Sequence, residues 1–148
     1  MMAFSIDTHA GVGVQATIGS DVEQSTLRDE MLAVADSGAV GLVVKGVVDG
    51  AQRGWAYLGG GALQSDRTAE IDSVASLDAL AGDGTELTWT LVPDGTQTRL
   101  GIDRDGDWFF DRDEIDACAD PADPQSIPGG NTCTGDIDGT GSVDTTDL

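Results

Sequence analysis

Basic residues are scarce in this sequence: seven Lys and Arg stand against 27 Asp and Glu among 148 residues, a formal net charge of −20. Phosphate backbones are held by clustered Lys and Arg, so nucleic acid is excluded as a partner and docking on an anionic membrane is disfavoured. Histidine is scarcer still. His9 stands alone, which rules out a metal centre built on several histidines. No apolar run approaches the roughly 18 residues of a membrane-spanning helix, so no membrane insertion is expected. The opening MMAFSIDTHAGVG has neither the basic start nor the apolar centre of a secretion signal. The only two cysteines, Cys118 and Cys133, lack CxxC spacing and a neighbouring histidine, which argues against zinc. They flank ADPADPQSIPGGNT, a Pro/Gly-rich linker. A disulfide closing that loop contributes on the order of 3 kcal/mol by the chain-entropy model and implies an oxidising compartment; free thiols are the alternative.

What is present in the first hundred residues reads as a compact α+β unit. GVGVQATIG alternates Val12, Val14, Ala16 and Ile18 on one face, a strand pattern. SDVEQSTLRDEMLAVADSG opens with capping-box spacing, Ser20 to Glu23, carries Leu27, Met31 and Val34 at helical spacing, and stops at Gly38. AVGLVVKGVV follows as a buried strand, DGAQ as a turn, and RGWAYLG as the returning strand, with Trp55 and Tyr57 on one face. SLDALAG is a short helix. ELTWTLV and TRLGI, joined by PDGTQ, form the strongest hairpin signal in the chain. The expected fold is a small, mostly antiparallel sheet with about two helices on one face, followed by an irregular calcium-loop tail.

Nothing in this unit declares a reaction. His9 in DTHAG reads as a turn or capping residue, and no serine sits in a nucleophile elbow. LGGGAL lacks the Gly-Lys-Ser/Thr of a phosphate loop and reads as a flexible turn. Trp55, Tyr57 and Trp89 suit a core better than a sugar platform. Asp66, Glu70 and Glu86 are carboxylates of the kind glycoside hydrolysis pairs across a sugar, but the sequence picks out no pair among them.

The composition changes at Asp103. Residues 103–148 hold 13 of the 27 acids and only two basic residues, Arg104 and Arg112. DRDGDWFFDRDE fits the calcium-loop pattern D-x-[DN]-x-[DN]-G-x5-E at most positions. Asp103, Asp105 and Asp107 take positions 1, 3 and 5, the Phe109 carbonyl position 7, Asp111 position 9 and Glu114 position 12. The spacing suits Ca²⁺, which takes six to eight oxygens at about 2.3–2.6 Å. One departure is Trp108 at position 6, where the sharp turn normally requires glycine; the turn is expected to be reshaped around Gly106. A strand is expected to enter this loop, and IDACADP leaves little room for an exiting helix. A second pattern, GDIDGTGSVDTTDL, places Asp136, Asp138, Thr140, the Ser142 carbonyl, Asp144 and Asp147 at positions 1, 3, 5, 7, 9 and 12, with Gly141 at position 6. Thr140 adds no charge, so its affinity should be lower.

The closing stretch resembles the first half of a type I dockerin repeat through Gly135, Asp136, Ile137, Asp138, Gly141, Val143, Asp144, Asp147 and Leu148, cut off where its helix would begin. The loop at 103–114 is similar to the calcium segments of thrombospondin type 3 repeats. These resemblances imply calcium as the cofactor and an extracellular or cell-surface place for a bacterial secreted protein. They also imply a cohesin-like or cell-surface partner for a full-length tail. The organisation expected is a domain at 1–102, a calcium loop at 103–117, a linker at 118–133 and a dockerin-like repeat at 134–148, together reading as a segment of a longer chain. The function expected is a calcium-binding, non-catalytic module. The alternative is part of an extracellular carbohydrate-active enzyme whose catalytic domain lies upstream, since dockerins usually travel with glycoside hydrolases.

Overall fold

The computed structural model describes residues 9–82 and 84–129. Among these residues, six strands form one antiparallel sheet: β1 (Gln15–Ile18), β2 (Gly41–Val48), β3 (Ala51–Gly59), β4 (Ala62–Ser65), β5 (Ile71–Ser73) and β6 (Leu87–Val92). Their spatial order is β1-β6-β2-β3-β4-β5. Four short helices accompany them: α1 (Ser25–Asp36), α2 (Val74–Leu80), α3 (Gln97–Gly101) and α4 (Asp111–Asp116). This is the small α+β fold with a mostly antiparallel sheet that the apolar patterning predicts.

Strand alternation divides the sheet into two faces. Val44 lies opposite both Trp55 and Trp89, and Ala16 lies opposite Trp89, so these residues share a face. On that face Met31 of α1 and Leu77 of α2 join Leu42, Tyr57, Leu63 and Leu87 in the hydrophobic core. Arg28 of α1 is buried over the Trp89 ring at 5.4 Å and gives Nη1 to Asp78 of α2 at 2.6 Å, which joins the two helices above the core. Trp55 and Trp89, at 1% and 0% exposure, are core residues and not a sugar platform. His9 is a turn residue whose Nδ1 accepts from the Gly11 amide.

Three local expectations give way. β1 is only four residues long, so Val12 lies in the preceding turn and Val14 is exposed. α1 starts at Ser25 instead of after Ser20, because Glu23 pairs with Ile18 as an isolated bridge. A capping box does occur, at Ser73 and Ser76 on α2. Most consequential, TRLGI is not a returning strand but α3 and its exit. β6 is already paired with β1 on one edge and β2 on the other, so no edge is left for a hairpin partner. The chain turns at Pro93–Thr96, with the Thr96 amide donating to the Pro93 carbonyl, and crosses onto the second face.

α3 lies close on that face. The Gly101 carbonyl accepts from Lys45 Nζ at 2.6 Å, and a Cβ at Gly54 would stand 2.1 Å from the same carbonyl oxygen. Glycine at position 54 is what lets helix backbone approach strand backbone here.

Candidate metal centre

The crossing of α3 delivers the chain to Asp103. The loop that follows is entered by a helix, not a strand, and it is left by α4, whose first residue is Asp111. Residues 97–116 therefore form a short helix–loop–helix, a closer match to the calcium-loop pattern than the sequence suggested. The acidic first turn of α4, with Asp111, Asp113 and Glu114, suits the positive end of a helix. That preference let a helix start where the tail looked too short for one.

Inside the loop, carboxylates fold back on backbone amides. Asp103 accepts from the Gly106 and Trp108 amides at 2.8 and 3.3 Å, Asp105 from Asp107 at 3.3 Å, and Asp107 from Phe109 at 2.8 Å. These bonds curl the backbone so that one oxygen from each of Asp103, Asp105 and Asp107 lies within 4.8 Å of the others, a cluster able to hold a metal ion. The turn is not reshaped around Gly106 alone. Gly106 has φ 81° and Trp108 has φ 79°, so position 6 keeps the left-handed conformation despite its side chain. The indole meets little else, at 84% exposure.

Glu114, the closing residue of the pattern, is 0% exposed, and neither of its carboxylate oxygens has a hydrogen-bond partner. The Oδ2 atoms of Asp105 and Asp107 are likewise buried without partners. Burial, and after it the charges of Asp105, Asp107, Asp111 and Asp103, push the Glu114 carboxyl up to about 7. Asp105 is raised by burial too, with Asp107, Asp103 and Asp111 adding to the effect. Glu114 stands outside the three-aspartate cluster but feels its charges, and among the described residues no ion pair engages any of these four acids.

Asp111, expected at position 9, is differently engaged. Its two oxygens accept from the Arg104 amide at 2.9 Å and Arg104 Nε at 3.1 Å, and it lies outside the three-aspartate cluster. The second pattern, with Asp136, Asp138, Thr140, Ser142, Asp144 and Asp147, lies outside the described residues. Cys118 is disulfide-bonded; Cys133, the other half of the expected bridge, also lies outside them.

The ion pairs and hydrogen bonds around α4 were not legible in the sequence. Arg67 binds Asp116 at 2.8 Å and Glu70 at 3.1 Å, Arg112 binds Asp116, and Asp113 accepts from the Thr68 amide at 2.8 Å. Hydrogen bonds from Arg112 and Arg67 hold the Asp116 carboxyl below the usual range, even though burial works to raise it. Arg53 binds Asp66 and Glu70, each at 2.7 Å, so these two acids brace the β4–β5 turn and do not face each other across an open site. Glu86 is exposed and lines the same cavity as Asp66. The available signal was the rarity of cations: in so acidic a chain, each arginine has several acids competing for it. Compared with known family models, curated proteins and solved structures, the chain matches none.

Proposed function

We propose that this chain is a calcium-binding, non-catalytic module of a secreted protein, its ion held by Asp103, Asp105, Asp107 and Glu114 with the Phe109 carbonyl. The observation that carries this reading is Glu114, a fully buried carboxylate with both oxygens unpartnered beside three clustered aspartates. A buried charge without a partner is costly, and a divalent cation is the partner that all four acids can share. Oxygen-only ligands in a flexible loop favour Ca²⁺ over the smaller, more rigidly octahedral Mg²⁺. Asp111 then serves the loop by holding Arg104. The resemblance of residues 135–148 to a dockerin repeat supports an attachment role toward a cohesin-like or cell-surface partner, in an extracellular setting.

Isothermal titration calorimetry tests the ion reading. We expect one Ca²⁺ per described loop, bound at least as tightly as the roughly 10⁻⁴–10⁻³ M of extracellular modules. Asp103→Ala should lose it, and Mg²⁺ should bind more weakly. Equal thermal stabilisation by Na⁺ and Ca²⁺ at matched ionic strength would instead mark the loop as a merely acidic surface.

A further inference from the structure

Between the ion loop and the second face of the sheet lies a cavity of about 660 Å³, within the size range of small-molecule sites. Its lining draws Lys45, Arg53 and Arg104, three of the seven basic residues in a chain of net charge −20. Among the described residues four acids also line it, but two are engaged: Asp66 by Arg53 and the Gly54 amide, Asp111 by Arg104. The other two, Asp21 and Glu86, are exposed to solvent.

The cationic donors are not all engaged. Among the described residues, Arg104 gives its guanidinium only through Nε, leaving both terminal nitrogens available on a side chain 49% exposed. Lys45 gives one hydrogen bond, to the Gly101 carbonyl, and has two further N–H groups. Beside them, Val47 and Ile115 line the same cavity at 51% and 40% exposure, which leaves apolar surface for the body of a ligand.

We propose that this cavity binds a small organic carboxylate, its carboxylate held by Arg104 and Lys45 and its uncharged body resting on Val47 and Ile115. A planar carboxylate matches the fork of a guanidinium. A dianion such as phosphate meets the repulsion of the whole acidic molecule for only two cations. The inference goes beyond ion binding and does not require it. One consequence rests on the calcium reading: Arg104 is the second residue of the ion loop, so ion and carboxylate should alter each other's affinity reciprocally.

The test is amide chemical-shift titration of the whole ¹⁵N-labelled chain with glucuronate and with benzoate, using glucose and inorganic phosphate as controls. Saturable shifts at Lys45, Val47, Arg104 and Ile115 from either acid support the site, and the stronger acid tells a sugar body from an apolar one. Arg104→Gln, at a half-exposed side chain, should weaken binding about tenfold, the loss of a charge-assisted hydrogen bond, with the folded spectrum intact. Absence of saturable shifts at millimolar acid would overturn the proposal. So would equal shifts from glucose or phosphate, or undiminished binding in Arg104→Gln. Titration in chelator separates the two readings: saturable carboxylate shifts in calcium-free protein support the cavity whether or not the loop binds an ion.

Discussion

Glu114 sets the pH behaviour of the loop. Its carboxyl is raised to about 7 by burial and the neighbouring aspartates, so the folded state holds this proton more tightly than the unfolded chain does. The ion-free protein should therefore lose stability as pH climbs from the ordinary carboxylate range to about 7, by on the order of 3 kcal/mol for this group. Urea denaturation of Glu114→Gln in chelator should show that slope flattened, and the stabilisation by Ca²⁺ lost with it; an unchanged pH profile would remove Glu114 from the site. Trp108 carries a different cost. A non-glycine residue in the left-handed region costs about 1–2 kcal/mol, and glycine's extra unfolded-state freedom offsets about 0.5–1 of that. Trp108→Gly should thus raise folding stability by about 1 kcal/mol. Ion affinity should hardly move, since the backbone already has φ 79°; a destabilised variant would show that the indole makes contacts that matter. The gathering of Asp103, Asp105 and Asp107 was legible in the sequence, because their spacing is local; the burial of Glu114 depends on how α4 docks and was not. That Asp111 would turn to Arg104 was not, since an aspartate at position 9 fits either role.

At the scale of elements, the faces of the sheet and the two core helices followed from alternation and helical spacing, with Met31 and Leu77 meeting the buried tryptophans as the pattern implies. α3 did not. The hairpin signal around Pro93–Gly95 is local, but β6 was already engaged on both edges, and a tertiary pairing decides against a local one. The position that admits α3 is Gly54. Gly54→Ala would drive a Cβ into the Gly101 carbonyl and to 2.8 Å from Lys45 Nζ. We expect a loss of about 1–3 kcal/mol from overpacking and, because α3 leads into Asp103, a weaker ion site. A melting temperature and Ca²⁺ affinity both equal to those of the unaltered chain would mean that α3 is not seated on the sheet as described.

For the molecule as a whole, strand order was beyond the reach of the sequence, since nothing local places the last strand between the first and second in the chain. That order has a mechanical consequence. β6 is bonded on both edges, so it cannot be peeled away from the C-terminal side without breaking two ladders at once. Tension applied beyond Cys118 enters instead through α4, which is held to the β4–β5 turn by few bonds: Asp116 to Arg67, Asp113 to the Thr68 amide, and the Arg112 amide to the Asp66 carbonyl. A half-exposed ion pair such as Arg67–Asp116 is worth roughly 1 kcal/mol, against two full ladders on β6, so α4 should yield first and leave the sheet whole. A cation gripping Asp103, Asp105, Asp107 and Glu114 would span that weak joint from both sides. Pulling single molecules from the C-terminal side should therefore show an early, small extension before the sheet ruptures. Its force should rise with Ca²⁺ and fall in Asp116→Ala, and a single rupture indifferent to both would contradict this account. In a protein that carries load through its tail, calcium concentration would then set how much tension the tail bears before it lengthens.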